Sequence, residues 1–362
     1  MKISRRGFLK GTAGAGGMLL ASRIPSAHAT MSNRLPPEAV GILYDATLCV
    51  GCKSCMVNCK TSNSVPGGAL YSKGMTEPPY ESVATGKGPN LGVMAAGLEL
   101  SHQQSTGPAD NEGVWDAPQE LSGKTLNIIK VYKNGTAEKK DTAVNGYAFF
   151  KQQCLHCVSP ACASVCPAGA FRKDPENGAL TYMASKCIGC RYCQLACPFG
   201  VPRYEWDLAW PEVRKCQLCN HRYKEGKYSA CAESCPTGAT IFGKVTDLRE
   251  EARKRLAQTP GSEYEFPVQT VSSNERIRRD IAKYADGVYG LIEAGGTQNM
   301  MFSGVSFDLL GFSRNIAKYD LPSLTWAYIA KIPWVFAGVF IGGSTLYAIT
   351  HRKERAGKGD QS

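Results

Sequence analysis

Histidine is scarce, with five in 362 residues, and the five are scattered, so the sequence offers no nucleophile–base pair and no histidine-built catalytic constellation. No long run of Lys and Arg is interleaved with aromatics, which argues against nucleic acid as a partner despite a formal net charge of +11. Glycine and proline, 38 and 20, follow no G-x-y period, so collagen is excluded and turn-rich connections are expected instead. Charged residues make up only 20% against 43% hydrophobic, which excludes a disordered or fibrous chain and allows a packed core.

What the chain has in excess is cysteine. Sixteen are too many for packing in a reduced enzyme, and the chain is too long to need disulfides for want of a core. They fall into four groups of four with none left over. Cys49, Cys52, Cys55 and Cys59 are spaced C-x2-C-x2-C-x3-C, and Cys187, Cys190, Cys193 and Cys197 repeat that spacing and are followed by Pro198. This is the bacterial ferredoxin run. Cys154, Cys157, Cys162 and Cys166 widen the middle gap to four residues, and Cys216, Cys219, Cys231 and Cys235 widen it to eleven. Every group opens with C-x2-C and closes with C-x3-C.

The spacing points to four [4Fe-4S] clusters: three thiolates on a tight loop cap one cubane, while in the two-cluster ferredoxin run the fourth ligates a different cluster. Each oxidised cluster with its thiolates carries roughly −2, so four would bring the holoprotein to roughly +3, and the excess base then neutralises cofactors. Disulfides fit poorly, because three thiols within seven residues cannot bridge one another without strain. Zinc stays open as an alternative. Only the fourth group resembles paired zinc knuckles, and a zinc scaffold would have no redox role. Thioredoxin-type chemistry is excluded by the number of groups.

Both ends carry targeting signals. Arg5-Arg6, the small-residue stretch from Gly11 to Ala21 and Ala27-His28-Ala29 make residues 1–29 a twin-arginine signal peptide, with cleavage expected after Ala29. That route carries folded proteins, so cofactors can be inserted before export. Residues 332–349 form an apolar run without a charge, flanked by Trp326, Lys331 and Trp334, and a transmembrane helix is expected over 323–350. The basic tail, residues 351–362, places the C-terminus in the cytoplasm and residues 30–322 in the periplasm. Gly338 and Gly342 have the spacing of a helix-packing motif, a weak signal alone.

Between the motifs, residues 61–147 are expected to be an insertion of loops, such as Val65-Pro66-Gly67-Gly68 and Gly86–Asn90, with one strand over Lys124–Lys133 entering a turn at Asn134-Gly135. His102 and Trp115 carry no functional signal. Asp247–Ala257 is expected to be a charged, solvated or partner-facing helix. Residues 261–322 show only a short helix near 273–284 and a linker.

Taken together, the twin-arginine signal, the groups at 49–59, 154–166, 187–197 and 216–235, and the C-terminal anchor resemble the four-cluster electron-transfer subunits of respiratory molybdoenzymes and hydrogenases. The resemblance is closer to HybA-type subunits of periplasmic nickel-iron hydrogenases. It covers residues 41–244; the choice of complex rests on the two ends. One departure is Lys60 after Cys59, where the other groups have proline. The resemblance implies an α+β fold of two ferredoxin-like halves, each holding two clusters. By the family's interleaving the ligand sets would be Cys49, Cys52, Cys55 with Cys235; Cys216, Cys219, Cys231 with Cys59; Cys154, Cys157, Cys162 with Cys197; and Cys187, Cys190, Cys193 with Cys166. It further implies a non-catalytic wire between hydrogenase small and large subunits and a polytopic quinone-reducing subunit of the inner membrane. Formate dehydrogenase or polysulfide partners stay open, because no residue here touches a substrate. His156, inside the second group, is expected to be a spacer rather than a potential-tuning donor.

Overall fold

The computed structural model describes residues 35–64, 68–69, 113–115, 120–204, 213–329 and 331–356. The signal peptide at residues 1–29, the loops at 65–67 and 86–90, His102 and the end of the basic tail lie outside them. The first strand, β1 (Val40–Asp45), has all six residues buried, the pattern of a strand covered on both faces. At Gly41 a Cβ would lie 1.9 Å from the Gln298 carbonyl oxygen, so no other residue fits this close approach. The chain leaves β1 into the first cysteine loop and α1 (Ser54–Asn63), which buries Cys55, Cys59 and Asn63.

The insertion expected to be loops is, in its described part, a four-stranded sheet. It comprises β2 (Gly113–Trp115), β3 (Asn127–Lys133), β4 (Lys139–Lys140) and β5 (Gly146–Gln153), in the order β2–β3–β5–β4. β3 runs antiparallel to β5 from Asn127↔Gln153 to Lys133↔Tyr147. β3 is the strand expected over Lys124–Lys133, while β2 and β4 escaped the sequence reading because they are only three and two residues long. The sheet packs on the first cysteine loop. Asn127 Nδ2 donates to the Cys55 carbonyl at 3.2 Å, and Lys140 Nζ donates to the carbonyls of Ala46 and Thr47 at 3.2 and 2.7 Å.

The remaining cysteine groups lie among short elements: α2 (Ala161–Ser164), β6 (Phe171–Lys173), β7 (Leu180–Tyr182), α3 (Tyr192–Ala196), β8 (Arg203–Tyr204), β9 (Val213–Arg214), α4 (Asn220–Tyr223) and α5 (Ala230–Glu233). β6 with β7 and β8 with β9 form two-stranded antiparallel pairs. This mixture of small strand pairs and one-turn helices is ferredoxin-type α+β. β10 (Thr240–Lys244) then returns antiparallel to β1.

Next comes α6 (Val245–Leu256), which is not the solvated helix expected from its charge. Leu248, Glu251, Ala252 and Arg255 share a buried face. The Arg255 guanidinium donates to Asp45 Oδ2 at 3.1 Å and Glu251 Oε1 at 2.9 Å, and lies over the Phe266 ring. Asp45 in turn accepts from the backbone N–H and hydroxyl of Thr47, at 3.0 and 2.6 Å, so the buried ion pair braces the start of the first cysteine loop.

Residues 261–322 are not a linker, and 273–284 are not helical. β11 (Glu263–Pro267) and β12 (Arg276–Asp280) form a hairpin, and β13 (Asn299–Phe302) runs parallel to β1 to complete a three-stranded sheet, β10–β1–β13. β12 reads Arg-Ile-Arg-Arg-Asp with only Ile277 half-buried, a charge density that mimics a surface helix until its partner strand is known. Two helices close the described chain, α7 (Leu321–Ile329) and α8 (Ile332–Ala356). Among the described residues no helix is long and apolar enough to cross a membrane, so the span expected over 323–350 is not established by the fold. Gly342-Gly343-Ser344-Thr345 dilutes the apolar stretch of α8, which then runs on into His351-Arg352-Lys353.

Candidate metal centres

Each cysteine group opens on the same backbone turn. The residue before the second cysteine has positive φ in all four: Gly51 at 70°, His156 at 52°, Gly189 at 70° and Leu218 at 56°. In groups one and three Lys53 and Arg191 are left-handed as well, and a helix starts directly after each. Such a turn aims backbone donors at sulfur. Gly51 N–H donates to Cys49 Sγ at 3.4 Å and Leu218 N–H to Cys216 Sγ at 3.3 Å.

The closing Cys-Pro-x-Gly turns use Gly169, Gly200 and Gly238 at positive φ, and N–H groups of Ala170 and Thr240 donate to Cys166 and Cys235 Sγ, each at 3.3 Å. Group one, with Lys60 in place of proline, continues α1 instead. There Asn63 Nδ2 approaches Cys59 Sγ at 3.6 Å and Cys219 Sγ at 3.7 Å.

The sulfurs collect in four neighbourhoods. Cys49, Cys52, Cys55 and Cys235 line one cavity with Tyr44, Ile129 and Thr240. Cys59 sits in the field of Cys219, Cys216 and Cys231. Cys157 and Cys162 face Cys197 and Cys154. Cys193 faces Cys166, Cys187 and Cys190. Neighbourhoods adjoin where Cys55 faces Cys231 and where Cys216 faces Cys154.

These surroundings suit thiolates bound to a cation. All sixteen cysteines are free thiols. Burial pushes the thiols of Cys55 and Cys193 up to about 12 and that of Cys197 to about 11, and raises Cys59 and Cys162 well above the ordinary range. Thiols held so high keep their protons unless a metal takes their place. Among the described residues no three His, Cys, Asp or Glu side chains converge closely enough for a single metal ion. Zinc would need its sulfurs about 2.3 Å from one point. Sulfurs ranged around a cavity, with amide donors behind them, fit a cubane.

A 4Fe-4S dicluster domain model matches residues 145–245. The hydrogenase-2 operon protein HybA of Escherichia coli O157:H7 is 38% identical over 328 residues, covering 89% of this chain and 84% of that one. The chain belongs to the HybA family. A protein of Nitratidesulfovibrio vulgaris is 30% identical over 99% of the chain and 80% of its own length. The formate dehydrogenase-O iron-sulfur subunit of Escherichia coli K12 is 30% identical over 61% of the chain and 58% of its own length. This chain is an iron-sulfur electron-transfer subunit, and its sixteen cysteines fit four [4Fe-4S] clusters. The zinc alternative is set aside.

Asn299 and Lys151 of this HybA-family site gave no sequence signal, whereas His156 was expected as a spacer. Asn299, in the supposed linker, donates to the Cys154 carbonyl at 2.7 Å and accepts from Ile42 N–H at 2.9 Å, clamping the second cysteine loop to β1. Lys151 is fully buried beside Cys231 and Cys55. His156 is also fully buried; its Nδ1 accepts from Leu180 N–H at 3.1 Å, and burial, reinforced by Lys215 and Lys173, holds the imidazole well below its usual range. The ring is a neutral packing element that ties the second loop to β7.

Proposed function

We propose that the chain relays single electrons from a hydrogenase catalytic dimer, small and large subunits, to a polytopic quinone-reducing subunit at the periplasmic face of the inner membrane. The proposed ligand sets are Cys49, Cys52, Cys55 and Cys235; Cys59, Cys216, Cys219 and Cys231; Cys154, Cys157, Cys162 and Cys197; and Cys166, Cys187, Cys190 and Cys193. When bound, the clusters supply one-electron carriage. The chain itself binds them, excludes water from the middle pair and brings the outer pair to the surface.

The observation that carries this reading is that three of the sulfur neighbourhoods follow one another within electrostatic reach, Cys55 by Cys231 and Cys216 by Cys154. A series of centres with no substrate-binding constellation beside it is a conductor. The hydrogenase partner is supported by the name of the HybA relative, which matches nearly the whole chain, whereas the formate dehydrogenase subunit matches 61% of it.

Residues 1–29 would direct twin-arginine export, and α8 would be a single-pass anchor with the basic tail in the cytoplasm. Support for the anchor is that Trp334, Phe336, Val339, Phe340 and Ile341 are all exposed, with no described residue covering them. Isolating the membrane complex tests the whole proposal. Hydrogenase subunits and a polytopic membrane protein should co-purify with this chain, and truncation after Pro322 should release it from the membrane. Recovery of a formate-oxidising subunit instead would redirect the assignment.

A further inference from the structure

Lys151 is an anomaly in the core. It belongs to β5, opposite Ile129 of β3, and Ile129 lines the cavity of Cys49, Cys52, Cys55 and Cys235. Two residues earlier on the same strand face, Phe149 lies against the first cysteine loop, where a Cβ on Gly51 would come within 2.4 Å of its ring. The Lys151 side chain is 0% exposed, and its Nζ finds no oxygen or nitrogen acceptor; the group it approaches is the Cys231 sulfur. Lys173 and Lys215, also near cysteine loops, differ. Lys173 Nζ is bonded to the Cys157 carbonyl and Gln298 Oε1, and Lys215 Nζ to the carbonyls of Leu180 and Cys216.

A buried ammonium without an oxygen acceptor is costly and persists only where a counter-charge holds it. The groups acting on Lys151 are sulfurs: Cys231 and Cys55, then Cys235. In the proposed ligand sets Cys55 and Cys235 belong to the first set and Cys231 to the second. The ammonium therefore sits at the junction of two centres.

We propose that Lys151 is the fixed positive charge that sets the reduction potentials of these two adjoining centres. Each one-electron reduction, with dithionite as donor, adds one negative charge to a centre beside the ammonium. A fixed positive charge in a low-dielectric interior favours that reduced form. The positive charge also offsets repulsion between two anionic centres, so an electron can pass between them without a large change in energy. This inference rests on the ligand sets proposed above.

The experiment is an EPR-monitored redox titration of the intact, cluster-loaded full-length chain, comparing wild type with Lys151→Met and Lys151→Arg. The Met variant is expected to lower the reduced-to-oxidised ratio of the first two centres about tenfold or more at fixed potential, about 59 mV for a one-electron couple. The other two centres should be unmoved, and the Arg variant should stay near wild type. Unshifted potentials in the Met variant, or equal shifts in both variants, would overturn the proposal.

Should the Met variant fail to retain iron, pulsed EPR on chain labelled with 15N-lysine decides. A lysine coupling on the first centre must be present in wild type and absent from the Arg variant, and its absence from wild type overturns the proposal. Iron and sulfide content separates the two levels of failure. Fewer than four centres in wild type defeats the ligand sets, whereas four centres with unshifted potentials defeats only the role of Lys151.

Discussion

The cysteine loops of groups one and three share a backbone turn with those of groups two and four but differ in their surroundings. In the first and third loops the turn residue is glycine, Gly51 or Gly189, and its neighbour faces solvent: Val50 is 49% exposed and Ile188 69%. In the second and fourth loops the turn residue is His156 or Leu218, each almost completely buried, and both accept an unfavourable left-handed backbone in exchange for packing. The difference teaches that one local solution for presenting thiolates is used at two depths. Tyr192 and Leu195 extend the exposed apolar surface around the third loop, and Cys52 is exposed in the first. Two loops near the surface and two in the interior suit the relay proposed above, because electrons enter and leave only at its ends.

The strongest way to break the comparison is Gly51→Ala. The substitution forces positive φ on alanine and drives a Cβ into the Phe149 ring, so a loss of about 3 kcal/mol is expected. Iron analysis should show centres missing from the first and second sets, while the third and fourth remain. Full iron and an unchanged melting temperature would mean that the insertion sheet does not press on this loop.

Next in size is Asn299→Ala. It strands the Ile42 N–H and the Cys154 carbonyl, both buried, at a cost of about 2 kcal/mol. Thermal denaturation should register this as a lower melting temperature, with damage appearing first at the second loop. A neutral result would return residues 261–322 to the status of a linker.

Gly189→Ala sharpens the comparison with Gly51. The φ is the same, but the added Cβ meets the end of one side chain, the Tyr204 hydroxyl, rather than the face of a ring. The expected cost is about 1.5 kcal/mol, mostly the backbone penalty. Equal losses at Gly51 and Gly189 would show that surroundings do not distinguish the two loops.

Legibility in the sequence followed the chemistry rather than the fold. All sixteen cysteines stand in short motifs whose spacing is set by a cubane, so they could be read without any tertiary knowledge. Gly51 and Gly189 were visible as glycines, but nothing local marks His156 or Leu218 as left-handed, because burial rather than residue type makes their turn tolerable. β13 was invisible for a related reason: Asn299-Met300-Met301-Phe302 is a strand only because β1 lies beside it, more than 250 residues earlier. α6 misled through its charges, since Arg255 and Glu251 are buried by pairing with Asp45 and with each other. Lys151 reads as an ordinary strand lysine until the sulfurs across from it are known.

The most direct test of the relay is Cys190→Ala, measured in the intact membrane complex by two activities side by side. The account predicts that hydrogen-dependent quinone reduction is abolished while hydrogen oxidation with an artificial dye stays at wild-type rate, because the catalytic subunits are untouched and only the path beyond them is cut. Loss of both activities with the catalytic subunits correctly assembled would place this chain in catalysis itself and contradict the relay.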